Sequence, residues 1–398
     1  MVALTRKYYT YMRKNIFLLA VLVVIISCKK NNDSTSNSSG DDECVMRSST
    51  GSGEIKASQY IVAFSPAINS RASSRISLDQ ESRNVLQRNA IDVSALKTSF
   101  VGEPGGFIGR MTAEQAEALR HDESIEAVEP DRVISLGSCF TVVEPRSVTW
   151  NISRIGYGNG IGKTAWIVDS GIDFDHPDLT VDQARSRSFV EGQTSADDQN
   201  GHGTHVAGII GAKNNTIGVL GVASGASLVA LKVLDKDGNG NLSYIIQALA
   251  YINTAAAVGD VVNMSVGGES GSDILDQQVR NTAARGIYFA IAAGNENKLA
   301  NLSSPARVNA QNVYTVSAVD SLDNFASFSN YGNDVVDFAA PGVRILSTWM
   351  DNHYAYASGT SMAAPHVSGL LLLRGRNITS SGVAKNDPDG TPDPIAHY

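Results

Sequence analysis

Three short segments carry the residue types from which a base-activated nucleophile is built: Asp169 in "VDSGID", His202 in "NGHGTHVAG" and Ser361 in "SGTSMAAPHVSG". A serine hydroxyl attacks well only when a neighbouring base takes its proton, and a carboxylate commonly orients that base. Each segment alone also has a plainer reading. An Asp-Ser-Gly after a strand often makes a turn or a helix cap. Glycines flank His202 and leave its ring uncovered, but His202 and His205 could be a metal pair, although no third ligand follows at the usual spacing. Ser361, among small residues ahead of the apolar "GLLLL", could simply cap a helix.

Such loops need a rigid frame, and the pattern from Thr164 onward supplies one. Apolar runs "TAWIV", "LVALKVL", "DVVNMSV", "IYFAIAA" and "VYTVSAV" alternate with helix-length segments such as 243–258 and 272–285. That alternation predicts an α/β architecture, a mostly parallel sheet covered on both faces. In such sheets chemistry sits beyond the carboxyl ends of the strands, which is where the three segments fall.

The region before it reads differently. "YIVAF" predicts a strand, 78–91 a helix, "LKTSFVGEPGGFIGRM" two strands around a turn, "TAEQAEALRH" a second helix and "IEAVEPDRV" a fourth strand. Thr112 and Gln115 form a capping box at the second helix. The order βαββαβ is that of a small α+β ferredoxin-like domain, which by itself assigns no activity.

The chain has 398 residues and a net charge of −8 with no basic stripe, which argues against nucleic acid as a partner. Cys28, Cys44 and Cys139 lack zinc-ligand spacing, so most of the fold holds without disulfides. Arg6, Lys7, Arg13 and Lys14 precede the apolar run Ile16–Ile26, which has the length of a signal-peptide core and is too short to span a bilayer. Residues 29–53 are Ser, Asn, Asp and Gly with little to bury, and predict a disordered tether.

Together, Asp after a strand, His in "HGTH" and Ser in "GTSMAAPH" resemble the subtilisin-like serine proteases, whose chain order is Asp, His, Ser. "FSNYG", "GVRILSTW" and "SGTSMAAPHV" look most similar to the proteinase K-like members, and the ferredoxin-like segment is similar to the family's inhibitor-type propeptide. The resemblance implies a three-layer subtilisin-like fold over 148–398 and a propeptide domain over 55–135. A lipoprotein signal would occupy 1–27, a tether 28–54 and a processing linker 136–147. It implies a self-processing, monomeric serine endopeptidase inhibited by its own propeptide, with Asp169, His202 and Ser361 as the triad and Asn295 in "IAAGNE" as an oxyanion donor. Substrate would pair with Ser265, Val266 and Gly267 on one side and Gly240 on the other, its side chain entering a pocket of Ala292, Ala293 and Gly294. With no charge expected there, apolar side chains should be preferred.

The same resemblance implies a structural Ca2+ ion in "AKNNTIGVLGVA", with carbonyls of Lys213, Ile217 and Val219, the side chain of Asn215 and the carboxylate of Asp178 as ligands. Arg146 stands where the family completes that site with glutamine. The end of the apolar run, "IISC", resembles a lipobox, which implies acylation of Cys28 and export to the cell envelope as a membrane-anchored precursor; an ordinary secretory signal is the alternative. By resemblance, self-cleavage falls between Leu136 and Arg146. In the last residues, "NITSSGVAKNDPDGTPDPIAHY", polarity and prolines predict a loop in place of the usual final helix. A peptide-binding pseudoprotease and an inhibitor or chaperone with an inert partner are the competing readings.

Overall fold

The computed structural model describes residues 53–71, 74–134 and 148–398 in full, and the backbone alone at 46–47, 135 and 139–143. Among the described residues a nine-stranded sheet forms the frame. Its order is 379–383, 394–397, 336–341, 313–319, 288–292, 261–264, 164–169, 227–232 and 187–188. All neighbours are parallel except the first pair. The strand Thr164–Asp169 shows why continuous apolar runs were needed. Ala165 and Ile167 enter the core packed by helices His202–Gly211 and Thr360–Arg374, whereas Trp166 and Val168 enter the core packed by helices Leu242–Ala255 and Asp273–Ala284. Both faces are dry, so alternation of polar and apolar residues has no place.

The inhibitor-type domain has the expected βαββαβ order, with its strands in spatial order 96–100, 106–110, 55–64 and 125–135. The strand expected from Tyr60 begins earlier, at Ile55. Its first long helix, Arg75–Arg88, starts at a Ser74–Ser77 capping box, and Thr112 and Gln115 cap the second by exchanging hydrogen bonds of 3.2 and 2.9 Å. This domain keeps its own core around Phe64, Phe107 and Leu86. The opposite sheet face presents Ile61, Ala63, Phe100 and Ile108 to helices Leu242–Ala255 and Asp273–Ala284, so the two domains share one apolar seam.

The end of the chain corrects the loop expectation. Thr379–Val383 and Pro394–His397 are antiparallel strands, and the latter joins the main sheet beside Val336–Pro341. Buried Ile395 and Ala396 supply enough apolar surface for one more strand despite the flanking prolines. The signal segment with Cys28, Cys44 and the linker residue Arg146 lie outside the described residues. Among those described, no helix is long and apolar enough to cross a membrane.

Candidate active site

Asp169 closes its strand, fully buried, and its Oδ1 accepts from Nδ1 of His202 at 2.8 Å and from the backbone N–H of Ser170 at 2.7 Å. His202 opens a helix whose approach to that strand depends on glycine. Gly201 has φ 105°, and a Cβ there would lie 2.2 Å from the Trp349 ring; a Cβ on Gly203 would lie 2.0 Å from the carbonyl oxygen of Gly171. His202 Nε2 is buried with no hydrogen-bond partner, leaving one ring nitrogen uncommitted.

Ser361 sits in the first turn of helix Thr360–Arg374, 4 % exposed. Its hydroxyl donates to the carbonyl of Ser265 at 3.2 Å, and the Ser265 hydroxyl donates back to the carbonyl of Ser361 at 2.8 Å. Asn295 follows strand Tyr288–Ala292, and its Oδ1 accepts from the N–H and hydroxyl of Thr360 at 2.8 and 2.9 Å. With the oxygen so engaged, the amide NH2 is the free end. One strand end therefore meets one helix start, and a second strand end meets the first turn of a fourth element.

The last inhibitor strand runs along the edge of this cleft. Val133, Ile134 and Ser135 pair antiparallel with Asn241, Gly240 and Asn239. Downstream, Cys139–Val143 pairs antiparallel with Ser358–Tyr354, the strand that leads into Ser361. The chain is thus paired with catalytic-domain strands up to Ser135 and again from Cys139. Two carboxylates lock the inhibitor strand in place, and the sequence reading passed over both. Glu129 accepts from the Ser272 hydroxyl and, at 3.1 Å, from the Ile274 N–H, at the start of helix Asp273–Ala284. Asp131 accepts from the N–H and hydroxyl of Ser243 at 3.0 and 2.7 Å, capping helix Leu242–Ala255, whose own N-cap residue makes no side-chain cap.

Residues 162–378 match the Subtilase family (Peptidase S8), and residues 59–137 match Peptidase inhibitor I9. The chain belongs to the subtilase family. It is 35 % identical over 331 residues to alkaline serine exoprotease A of Vibrio alginolyticus, a match covering 80 % of this chain and 60 % of that protein. It is 36 % identical over 332 residues to the subtilisin-like serine protease AsES of Sarocladium strictum, covering 75 % and 82 %. A cold-adapted subtilisin-like serine proteinase of known crystal structure superposes with TM-score 0.55 at 34 % identity, covering 63 % of this chain and 98 % of that one. This subtilase is a serine endopeptidase made as a zymogen, with a three-layer subtilisin-like α/β fold behind an inhibitor domain.

The remaining residues named from sequence take varied places in the subtilase. Ser265, Val266 and Gly267 follow strand Val261–Met264, with Ser265 committed to Ser361. Ala292, Ala293 and Gly294 lead from the end of the strand into Asn295, and a charge absent from the sequence expectation lies beside Gly294. A Cβ on Gly294 would lie 2.8 Å from the Glu296 carboxylate, which accepts from Asn330 at 2.8 Å and has the Lys298 ammonium 3.9 Å away. His205 is no metal ligand: its Nε2 contacts the carbonyls of Ile345 and Ala355 at 2.9 and 3.0 Å, and burial drives its pKa down to about 3.

In the proposed calcium loop, buried Asp178 accepts from the Asn215 amide and the Val219 N–H, both at 2.9 Å, while Ile217 N–H donates to Asn215 Oδ1 at 2.9 Å. The Lys213 ammonium is turned away to the Pro177 carbonyl, so no cationic side chain bonds the carboxylate. An all-oxygen set with one buried, uncompensated carboxylate fits a hard cation, provided the Asn215 amide turns its oxygen inward. No group of three or more His, Cys, Asp or Glu that could hold a metal occurs among the described residues.

Proposed function

We propose that Ser361, His202 and Asp169 carry out peptide-bond hydrolysis. His202 Nε2 takes the Ser361 hydroxyl proton as the oxygen attacks the carbonyl, then gives it to the leaving amine. Asp169 holds Nδ1–H and stabilises the imidazolium. The Asn295 NH2 and the Ser361 backbone N–H, at a helix N-terminus, receive the charge that develops on the carbonyl oxygen. The observation that supports this reading is the 2.8 Å Asp169–His202 hydrogen bond, which leaves His202 Nε2 buried and without a hydrogen-bond partner. The Ser361–Ser265 bond is a precursor arrangement that rotation about one side-chain torsion reverses.

Substrate enters as an extended strand beside Gly240, the edge that Ile134 occupies in the precursor, with Ser265, Val266 and Gly267 opposite. The pocket at Ala292, Ala293 and Gly294 takes an apolar side chain, and the Glu296 carboxylate beside it is engaged by Lys298, whose ammonium stands 3.9 Å from both Glu296 and Glu269. Cleavage of a peptide library after Phe well above Arg is expected; equal cleavage would overturn the preference. The chain cuts itself between Leu136 and Arg146, downstream of the inhibitor strand that pairs with Asn239–Asn241. Export as a monomeric precursor anchored through acylated Cys28 would make anchoring temporary, because the cut separates anchor from enzyme.

A Ca2+ ion held by Asp178, Asn215 and the carbonyls of Lys213, Ile217 and Val219 would rigidify the 212–223 loop. Chelation should then lower the melting temperature of the parent but not of an Asp178→Asn chain. For the activity itself, the full chain is expressed with and without Ser361→Ala, following self-cleavage and casein hydrolysis. Both should vanish in the variant; activity surviving there would end the triad assignment, and inactivity of the parent would favour a pseudoprotease.

A further inference from the structure

Behind the catalytic pair lies a second buried charge couple. Lys232 ends strand Ser227–Lys232 directly opposite Asp169 in the parallel register, on the same sheet face, and is fully buried. Its ammonium donates to the carbonyl of Ser170 at 2.5 Å. Asp198, 7 % exposed, accepts from the Ser170 hydroxyl at 2.9 Å and from the hydroxyl and N–H of Thr204 at 2.6 and 3.0 Å. Ser170 also receives the Gly203 N–H at 2.9 Å and donates its own N–H to Asp169. One residue therefore touches the catalytic carboxylate, the helix that begins at His202, and both members of the couple.

We infer that Lys232 and Asp198 are positioning residues for the Asp169–His202 pair: Lys232 fixes the Ser170 carbonyl, Asp198 fixes its hydroxyl and the His202 helix, and together they clamp strand end to helix start. This rests on the triad reading above. Burying an ammonium is costly, and a methionine of similar length would fill the same space without that cost. A methionine could neither hold the Ser170 carbonyl nor offset two buried carboxylates on either side of it. Burial lowers the Lys232 pKa, and the charges of Asp198, Asp235, Asp169 and Asp197 oppose that fall. Burial alone would raise the Asp198 pKa, but the donors of Thr204, Asn200 and Gly201 and the Lys232 charge hold it below the ordinary carboxylate value.

A geometric clamp made of opposite charges has a signature that plain packing lacks. The groups facing His202 are Asp169 from the strand, His205 from its own helix, neutral by burial, and Lys232 and Asp198 behind Ser170. Removing the cation favours imidazolium and removing the anion disfavours it.

The test uses the full chain, self-matured, on a chromogenic peptide amide, with Lys232→Met, Asp198→Asn and the double variant. Both single variants should lose about tenfold or more in kcat with KM held within about twofold. The acid limb of the kcat/KM profile should move up by about half a pH unit for Lys232→Met and down for Asp198→Asn, and return toward the parent in the double variant. Lys232→Arg keeps the charge and covers the case where Lys232→Met does not fold: its acid limb should match the parent while kcat falls. Unchanged kcat in Lys232→Met, limbs that move the same way, or a shifted limb in Lys232→Arg would overturn the inference. Residual activity in a Ser361→Ala control would instead sink the triad reading.

Discussion

Ser361 and Ser265 bond each other twice, each hydroxyl donating to the other's carbonyl at 3.2 and 2.8 Å. Asn263 donates its amide to the Ser265 hydroxyl at 2.8 Å and receives the Ser368 hydroxyl at 2.9 Å, so this contact is the end of a buried polar chain. The backbone of the nucleophile is thereby fixed while its Oγ is held by the Ser265 carbonyl. In a precursor whose cleft edge is already filled by Ile134, that is the resting geometry expected of a latent enzyme. Catalytic hydrogen bonds of this type commonly tighten only when substrate arrives.

Asn295 offers the sharpest test of the reaction. Thr360 engages its oxygen, so the NH2 is oriented before substrate binds, and truncation removes a preorganised donor. Asn295→Ala should lower kcat about a hundred- to thousandfold, roughly 3 kcal/mol, with KM little changed. A loss under threefold would mean that the amide does not face the reacting oxygen. Thr360→Val should cost less, since it removes the hydroxyl but keeps the backbone N–H that holds the Asn295 oxygen.

Glu129 and Asp131 lie two residues apart on one strand face and each accepts an N–H at the start of a different catalytic-domain helix, Glu129 beside the Ser272 cap and Asp131 where the helix has no side-chain cap of its own. Replacing both by alanine strips about 1 kcal/mol or more per cap and leaves buried N–H groups without acceptors. The interval between self-cleavage and the appearance of casein hydrolysis should shorten markedly, and the Ser361→Ala chain carrying both changes should melt earlier. An unchanged interval would place the inhibitory strength in the apolar seam alone.

These two carboxylates mark the boundary of what could be read in advance. Asp169, His202 and Ser361 were visible because glycines and small residues crowd around them at the ends of apolar runs, a local signal of close backbone approach. Glu129 in "IEAVEPDRV" resembles any exposed strand residue, and its partner Ile274 is far along the chain. Lys232 likewise looks like the polar end of "LVALK" until the neighbouring strand sets Asp169 beside it. Glu296 reaches the pocket wall through Asn330, a tertiary contact. Pro394–His397 reads as loop in the sequence because prolines flank a short apolar pair, and only the pairing of Ile395 with Ala339 at the sheet edge makes it a strand.

Acid should unfold the catalytic domain through two buried imidazoles. Burial lowers His205 to about 3 and His366 to about 4, from 6.5 in a solvated chain. Below pH 6.5 the unfolded state takes up these protons and the native state does not, so stability is lost as pH falls toward those values. At pH 5 each contributes a loss of about 2 kcal/mol. Urea midpoints of the Ser361→Ala chain, which cannot digest itself, should drop steeply between pH 7 and pH 5. His366→Gln should start lower at pH 7 and fall less; parallel slopes would show that His366 titrates in the native state.

Asp393 acts in the opposite sense. It is 2 % exposed and accepts from the Ser317 hydroxyl at 2.6 Å; burial first, then the charges of Asp387, Asp389 and Asp337, raise its pKa to about 7. A folded pKa above the unfolded value means that its contribution is fully present below about pH 4 and is lost as pH rises to 7. Above that, a carboxylate is buried among carboxylates. Asn would keep an acceptor for Ser317 and carry no charge, so Asp393→Asn should gain on the parent progressively between pH 4 and pH 7 and then level off. The ceiling on that gain is about 4 kcal/mol at full burial. Melting temperatures of the two chains in the Ser361→Ala background, compared across that range, decide it. A constant offset would mean that the Asp393 pKa does not change on folding.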